Sequence, residues 1–267
     1  MRLIVEHRTR YRFSEPQTRL IQCLRMTPDD TDDQTIVGWS IDVDCDARLR
    51  QSRDGLGNRQ AMLYADGPIE GIEISVRGEV LTGDHGGRVR GTAEPLPPEF
   101  FLRETDRTAA GEALGAFVGG AVSGLSGAAA IDAAARAIHG RFELAGYVDA
   151  LRDAATAFAA EAATGRELAQ MLVAGLHAVE IPARYVSGYR QREGRACAPH
   201  GWVEAHAGDG GWIAVDPSTG GRIDERYVRV AVGLDTAGVT PVAGSRLGQG
   251  EEMLDVAVTV EQAGSDA

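Results

Sequence analysis

The stretch PHGWVEAHAGDGGWIAVDPSTG (residues 199–220) contains two runs of alternating character on either side of a glycine-rich turn near residues 207–211. Alternation with a period of two predicts strands, and a short turn between two such runs predicts an antiparallel hairpin. The side chains that share one parity are His200, Trp202, Glu204 and His206 before the turn, and Trp212, Ala214 and Asp216 after it. In this register His200 and Asp216 lie at most one diagonal step apart, about 7–8 Å between Cβ atoms. A direct hydrogen bond between them is therefore expected.

A histidine held by an aspartate commonly serves a nucleophile, because the carboxylate sets the tautomer and orientation of the imidazole. The same pair can also simply brace the edge of a sheet, and the hairpin alone does not decide between the two roles. A metal site shared by His200 and His206 is excluded, since six strand residues at about 3.3 Å each separate them by roughly 20 Å. Trp202 and Trp212 are interpreted as packing residues and cleft wall.

Composition limits the classes of function. The chain has 267 residues with a formal charge of −12, and such a balance disfavours nucleic acid or an anionic membrane as a partner. Its cysteines, Cys23, Cys45 and Cys197, are widely spaced and form no CxxC pair, so we expect no zinc site, no disulfide framework and no other cofactor. The beginning, MRLIVEHRTR, has too short an apolar run for a signal peptide, and we expect a soluble cytoplasmic protein.

The order of predicted elements is β, then α, then β. Alternating runs such as VEHRTRYRF (residues 5–13) and IEISVRGEV (72–80) predict an antiparallel β-domain over residues 1–92, ended by the proline-rich segment 91–100. Helices are predicted over 108–118, 128–141 and 152–163, and strands over 183–190, the hairpin and 227–233. The run LDVAVTV (254–260) can close either sheet. This order predicts an α+β fold, with a second domain over residues 93–267.

The segment TGRELAQMLVAGLHAVEIPARY (residues 164–185) predicts a helix with a defined start. Thr164 and Glu167 form the capping-box pattern, and Pro182 prevents the helix from continuing. Apolar residues recur at helical spacing from Leu168 to Val179, which predicts one buried face. Gly165 then occupies the first helical position, where free amides and the helix dipole would stabilise a thiolate or an oxyanion.

Four motifs together resemble bacterial transglutaminase-like proteins, whose core is similar to that of papain-like cysteine peptidases: IPARYVSGY (181–189), HGWVEAH (200–206), WIAVDPSTG (212–220) and YVRVAVG (227–233). The beginning, VEHRTRYRFSEP (5–16) and CLRMTP (23–28), resembles the β-domain that precedes this core in the same family. The resemblance covers nearly the whole chain. It implies a Cys-His-Asp triad, with the cysteine at a helix start and the other two on neighbouring strands.

Transferred residue by residue, the family histidine falls on His200, the aspartate on Asp216 and the cysteine on Gly165. The family's GVCQDFAH-like run is replaced here by ATGRELAQ (residues 163–170), so Arg166, Glu167 and Gln170 also depart from the pattern. The resemblance therefore implies a catalytic site that has lost its nucleophile. Cys197, three residues before His200 in a predicted loop, is the one substitute that the sequence offers, although it would lack the helix start and its oxyanion-binding amides.

Three hypotheses about function follow. The leading one is a pseudoenzyme that keeps a peptide- or amide-binding cleft but has lost acyl transfer. The second is an active hydrolase, amidase or peptidase that uses Cys197 with His200 and Asp216, or a water that His200 activates. The third is a structural partner subunit of an active paralogue. A protein or peptide is the expected partner in each case, and the sequence leaves the oligomeric state open.

Overall fold

Two antiparallel sheets and a group of helices make up the computed structural model, which describes residues 1–146, 150–192 and 198–264. The helices are α1 (Gly111–Val122), α2 (Gly127–Arg141), α3 (Ala154–Phe158) and α4 (Gly165–His177). The strands are β1 (Arg2–Leu24), β2 (Gln34–Val43), β3 (Ala47–Arg53), β4 (Arg59–Thr82), β5 (Glu143–Leu144), β6 (Ala162–Ala163), β7 (Ala183–Arg190), β8 (His200–His206), β9 (Trp212–Asp216), β10 (Gly221–Arg222), β11 (Tyr227–Gly233), β12 (Val242–Leu247) and β13 (Glu252–Gln262). The α+β class predicted from the sequence is confirmed.

The first sheet is built around the long strands β1 and β4, which pair with each other. Strand β4 also pairs with β2 and β3, and the free side of β1 pairs with β13 along its first half and with β12 along its second. Val5, His7 and Thr9 of β1 are buried while the residues between them are exposed, as the alternation predicts. The run 254–260 lies within β13, so it closes the first sheet.

The second sheet has the order β10-β9-β8-β7-β11, and helix α4 packs on its strands β8 and β7. The hairpin of β8 and β9 has the predicted antiparallel register, with His206 opposite Trp212. Helix α4 differs from its prediction in one respect: it is buried on every side from Glu167 to His177. Helices α1, α2 and α3 cover the flank that was expected to face solvent. Gly175 permits this, because a Cβ there would lie 2.5 Å from a Val118 methyl carbon of α1.

Two of the predicted helices have different bounds. Helix α1 begins at Gly111 instead of residue 108, because Thr108 is used in a turn in which its hydroxyl accepts from the Thr105 amide. Helix α3 covers only Ala154–Phe158 of the predicted 152–163. Arg152 before it is bound to Glu167 of α4, and Ala162–Ala163 after it forms a parallel pair with β5. A local turn therefore delays the start of α1, and contacts with distant segments shorten α3 at both of its ends.

The β-sheet of the N-terminal region and the helical core share one continuous apolar cluster, which contains Leu3, Val5 and Val80 of the sheet as well as the buried apolar residues of α4. Polar contacts join the same two regions: the Tyr189 hydroxyl lies 2.9 Å from His7 Nδ1. The division at residues 92 and 93 stays a prediction, and the shared cluster indicates that the two parts stabilise each other. Within the described parts of the chain, no helix is both long and apolar enough to cross a membrane.

Candidate functional site

The candidate site lies at one edge of the second sheet. Strand β7 ends at Arg190, β8 begins at His200, β9 ends at Asp216 and β11 begins at Tyr227. Because neighbouring strands are antiparallel, these four ends meet at the same edge, and Arg190 is directly opposite Tyr227. The start of α4 lies against this edge, since Gly165 is adjacent to His200 and Ser218. The topology therefore brings together the three positions that the sequence singled out.

Asp216 is fully buried and accepts several hydrogen bonds. Its Oδ2 lies 2.7 Å from His200 Nε2, which is the hydrogen bond predicted from the hairpin, and accepts from the Tyr227 hydroxyl at 2.8 Å. Its Oδ1 accepts from the Ser218 amide at 2.8 Å. Burial by itself would raise the pKa of this carboxyl, but His200, Ser218 and Tyr227 together hold the pKa well below its usual range. Asp216 is therefore an ionised acceptor.

The ring of His200 has a definite orientation towards the helix start. Since ionised Asp216 can only accept, Nε2 of the ring donates to it, and in the neutral tautomer that this bond favours Nδ1 presents a lone pair. That Nδ1 lies 3.9 Å, and Cε1 3.5 Å, from the place where a Cβ of residue 165 would stand. Trp202 and Tyr227 support the ring, with centroids 6.3 and 6.0 Å from it. The basic nitrogen thus faces Gly165, which has no side chain to receive it.

The start of α4 has the predicted capping box. The Thr164 hydroxyl accepts from the Glu167 amide, and the Glu167 carboxylate accepts from the Thr164 amide at 2.9 Å. Arg152 adds a bidentate contact to Glu167, with donor–acceptor distances of 2.7 and 2.9 Å. Burial would raise the pKa of Glu167, but Arg152 and Thr164 lower the pKa to about 2. Glu167, which departs from the family pattern, thus stabilises the start of α4 through both of its carboxylate oxygens.

Gln170, another departure from the pattern, connects two segments beside the site. Its side-chain amide donates to the Arg152 carbonyl at 2.9 Å and accepts from the Thr236 hydroxyl at 2.7 Å. Gln170 is completely buried in the middle of these contacts. Its role in this chain is therefore to hold the segments around residues 150–152 and 236–241 against α4.

A cleft of about 340 Å³ opens beside His200. The two segments that Gln170 connects form part of its wall, and the start of α4 contributes Arg166. Tyr185 and Ser187 of β7 line it from the sheet. A volume of this size lies within the range that binds small organic ligands or short peptides. The vacant position at Gly165 therefore adjoins a cleft large enough for a ligand.

The remaining predicted residues have different places. Cys197 lies outside the described residues. Trp212 packs at 5.4 Å against Phe101 and Trp202 is buried behind His200, so they are packing residues, but neither lines the cleft as a wall. The side chains described here include no cluster of three or more His, Cys, Asp and Glu groups placed to hold a metal.

Sequence reasoning missed Tyr227 and Arg190 as parts of the site. Arg190 Nη1 lies 3.5 Å from Asp216 Oδ2, and its guanidinium lies over the ring of Tyr227. Both residues stood in predicted strands, but their place at the site depends on β11 being next to β7. No local sequence pattern predicts that β11 pairs with β7. Their position at strand ends was the one available signal.

Comparison with known families agrees with this architecture. Residues 3–81 match the bacterial transglutaminase-like N-terminal region, and residues 117–217 match the transglutaminase-like superfamily. The second match includes Gly165, His200 and Asp216. The chain belongs to the bacterial transglutaminase-like proteins, as the resemblance of its motifs indicated.

Two individual proteins illustrate the relationship. A candidate cysteine protease from Cytophaga hutchinsonii has the same fold, with a TM-score of 0.77 over 100% of this chain and 92% of that one, at 19% identity. An uncharacterized protein of Mycobacterium leprae is 35% identical over 105 residues, which are 36% of this chain. The matched region spans 36% of that relative's length as well. The first comparison establishes the fold, and neither assigns an activity to this chain.

Proposed function

We propose that this chain is a transglutaminase-like pseudoenzyme, which keeps the cleft beside His200 to bind a peptide or another amide-bearing ligand and has lost acyl transfer. The observation that carries the proposal is the glycine at position 165. The described parts of the site are otherwise assembled for a nucleophile there, since Nδ1 of His200 lies 3.9 Å from the missing Cβ. Without a side chain at this place no covalent acyl-enzyme can form.

The surroundings of Gly165 support a retained binding role. Both carboxylate oxygens of Glu167, and both the nitrogen and the oxygen of the Gln170 side-chain amide, have a hydrogen-bond partner, and these bonds hold the helix start and the cleft walls in place. If these two substitutions had merely decayed the site, Glu167 or Gln170 would be expected to remain buried without partners, at a cost of about 1–3 kcal/mol each. Substitutions that lost the chemistry have therefore kept the shape of the cleft.

We expect the natural protein to show no turnover above the buffer rate on amide substrates. Triad members act as a unit, so the loss of the nucleophile removes covalent catalysis and leaves at most polarisation of water by His200. The measurement is amide hydrolysis, glutamine deamidation and transamidation with the natural protein, His200→Ala and Cys197→Ser. All three should be indistinguishable.

The same experiment distinguishes the pseudoenzyme from the competing hydrolase hypothesis. Robust turnover in the natural protein that disappears in Cys197→Ser would contradict the proposal and identify Cys197 as the nucleophile. Turnover that disappears in His200→Ala but persists in Cys197→Ser would also contradict it, and would indicate attack by water that His200 activates.

A further inference from the structure

The cleft beside His200 is basic in an acidic protein. Two arginines line it, Arg166 from the start of α4 and Arg107 from the segment before α1. Within the described parts of the chain, no Asp or Glu side chain lines the cleft and neither arginine forms an ion pair. A chain with 39 acidic and 27 basic residues has ample carboxylates to pair with both. Their unpaired charges point to a negatively charged ligand.

Both guanidinium groups have donors to spare. Arg107 is anchored by its backbone, whose carbonyl accepts from the Ala154 amide at 2.9 Å, and its Nη1 donates to the Leu151 carbonyl at 3.3 Å. That bond uses one of five N–H donors of the guanidinium. Arg166 makes no hydrogen bond among the described residues. It lies near Tyr185 in the same cleft, where burial raises the pKa of the phenol and the positive charge of Arg166 partly opposes that rise. The planar fork of an arginine matches the two oxygens of a carboxylate.

The rest of the lining narrows the class of ligand. The lining contains hydroxyl-bearing residues, Tyr185, Ser187, Thr236 and Thr240, together with apolar side chains such as Val239. The hydroxyls of Thr236 and Thr240 already donate within the protein, so towards a ligand they present acceptor oxygens. Hydroxyls can pair with main-chain amides, and the apolar groups suit short aliphatic side chains. A small anion without an apolar part, such as phosphate, would leave these apolar groups without a partner.

We infer that the cleft binds a peptide through a carboxylate held by Arg107 and Arg166. The inference rests on the proposed peptide-binding function and specifies its ligand. The carboxylate can be the C-terminus of the peptide or an acidic side chain, since both present the same two oxygens. Arg166 is the second residue of α4, where the positive end of the helix dipole adds to its charge, so an anionic group beside it is favoured.

The test compares matched peptides by NMR titration. The probes are N-acetyl-trialanine with a free C-terminal carboxylate, the same peptide as its C-terminal amide, and N-acetyl-Ala-Glu-Ala-amide. We expect at least one carboxylate peptide to bind roughly tenfold more tightly than the neutral amide, as expected for charge-assisted hydrogen bonds. Tighter binding of N-acetyl-trialanine would show that the terminal carboxylate is recognised, and tighter binding of N-acetyl-Ala-Glu-Ala-amide would show that the side-chain carboxylate is.

Substitutions of single arginines test whether the cleft is responsible for the preference for the carboxylate peptide. Arg166→Gln and Arg107→Gln should each remove most of the preference for the carboxylate, whereas Arg136→Gln, an equal loss of charge at an exposed position of α2, should preserve it. Unfolding midpoints confirm that the three variants are folded. Equal binding of charged and neutral peptides, unaffected by either cleft variant, would overturn the inference and leave the proposed function standing.

Two further outcomes are decisive. If no peptide binds to the natural protein, the proposed peptide-binding role is wrong and this inference falls with it. If inorganic phosphate binds more tightly than both carboxylate peptides, and Arg166→Gln abolishes that binding, the cleft is an inorganic anion site and the peptide assignment is overturned.

Discussion

Replacing Gly165 with cysteine is expected to create a thiol that is alkylated at about pH 6 roughly tenfold faster than a cysteine on an exposed helix surface. The helix start and the neighbouring imidazole both favour the thiolate, and a shift of the thiol pKa from about 8.5 to about 6 increases the thiolate fraction at that pH by roughly two orders of magnitude. A thiolate of lower pKa is also intrinsically less nucleophilic, which offsets about one of these two orders of magnitude. The new Cβ fits, since its nearest neighbour is Ser218 Cβ at 3.4 Å.

Iodoacetamide labelling followed by peptide mass spectrometry reports each cysteine separately. The matched control is Gly120→Cys, at an exposed position of α1 where a Cβ meets no atom within 4 Å. Adding His200→Ala to the Gly165→Cys variant should remove much of the acceleration, because Nδ1 then no longer faces the thiol. Equal labelling rates at positions 165 and 120 would show that the triad geometry has not been retained.

Glu204→Gln is expected to lower the free energy of unfolding by about 3–5 kcal/mol, the usual effect of removing one partner from a buried ion pair. Glu204 is fully buried and lies 2.7 Å from Nε of both Arg184 and Arg229. Arg184 is itself buried and binds Glu94 of the proline-rich segment 91–100 at 2.6 and 2.8 Å. With a neutral amide at position 204, the two guanidinium groups of Arg184 and Arg229 would share a single carboxylate, that of Glu94, which contacts only Arg184.

Urea unfolding at neutral pH measures this effect. The control is Asp66→Asn, which removes the carboxylate of an exposed pair with Arg19 and should change stability by no more than about 0.5 kcal/mol. A similar small change for Glu204→Gln would mean that the buried network contributes no more than a surface ion pair does.

The contribution of Glu204 should also depend on pH. Burial would raise the pKa of this carboxyl, but Arg229 and Arg184 lower it to about 2, below the value of 4.5 for an unperturbed glutamate. Because the folded-state pKa is depressed, the stabilisation is fully present above about pH 4.5 and is lost as the pH falls towards 2. The difference in stability between the natural protein and Glu204→Gln should therefore shrink over this interval. A difference that stays constant from pH 7 to pH 3 would contradict the assignment.

Much of the candidate site was accessible from the sequence because its signals are local. The hairpin register follows from period-two alternation around a short turn, and it correctly predicted the hydrogen bond between His200 and Asp216. The start of α4 follows from the Thr164–Glu167 capping box, whose partners are three residues apart. Their convergence at Gly165 was implied by the family resemblance, and the geometry of the fold reproduces it.

Other features depend on contacts between distant segments. Tyr227 reaches Asp216 only because β11 lies beside β7, and Arg107 shares a cleft with Arg166 only because the segment before α1 packs near the start of α4. Glu204 looked like an ordinary polar position on a strand, yet two arginines from other strands make it the centre of a buried network. Single-strand patterns do not carry information about which charges will meet.

By itself the sequence determined the α+β class, the second-sheet strands it predicted, the helix start and the absence of a side chain at position 165, since each depends on residue identity or on neighbours a few positions away. Only the tertiary structure decided that α4 is buried on all sides, that β13 joins the first sheet and that two arginines line a cleft at His200. The physical reason is that sheet order and helix docking minimise exposed apolar surface over the whole chain, so they are properties of all segments together.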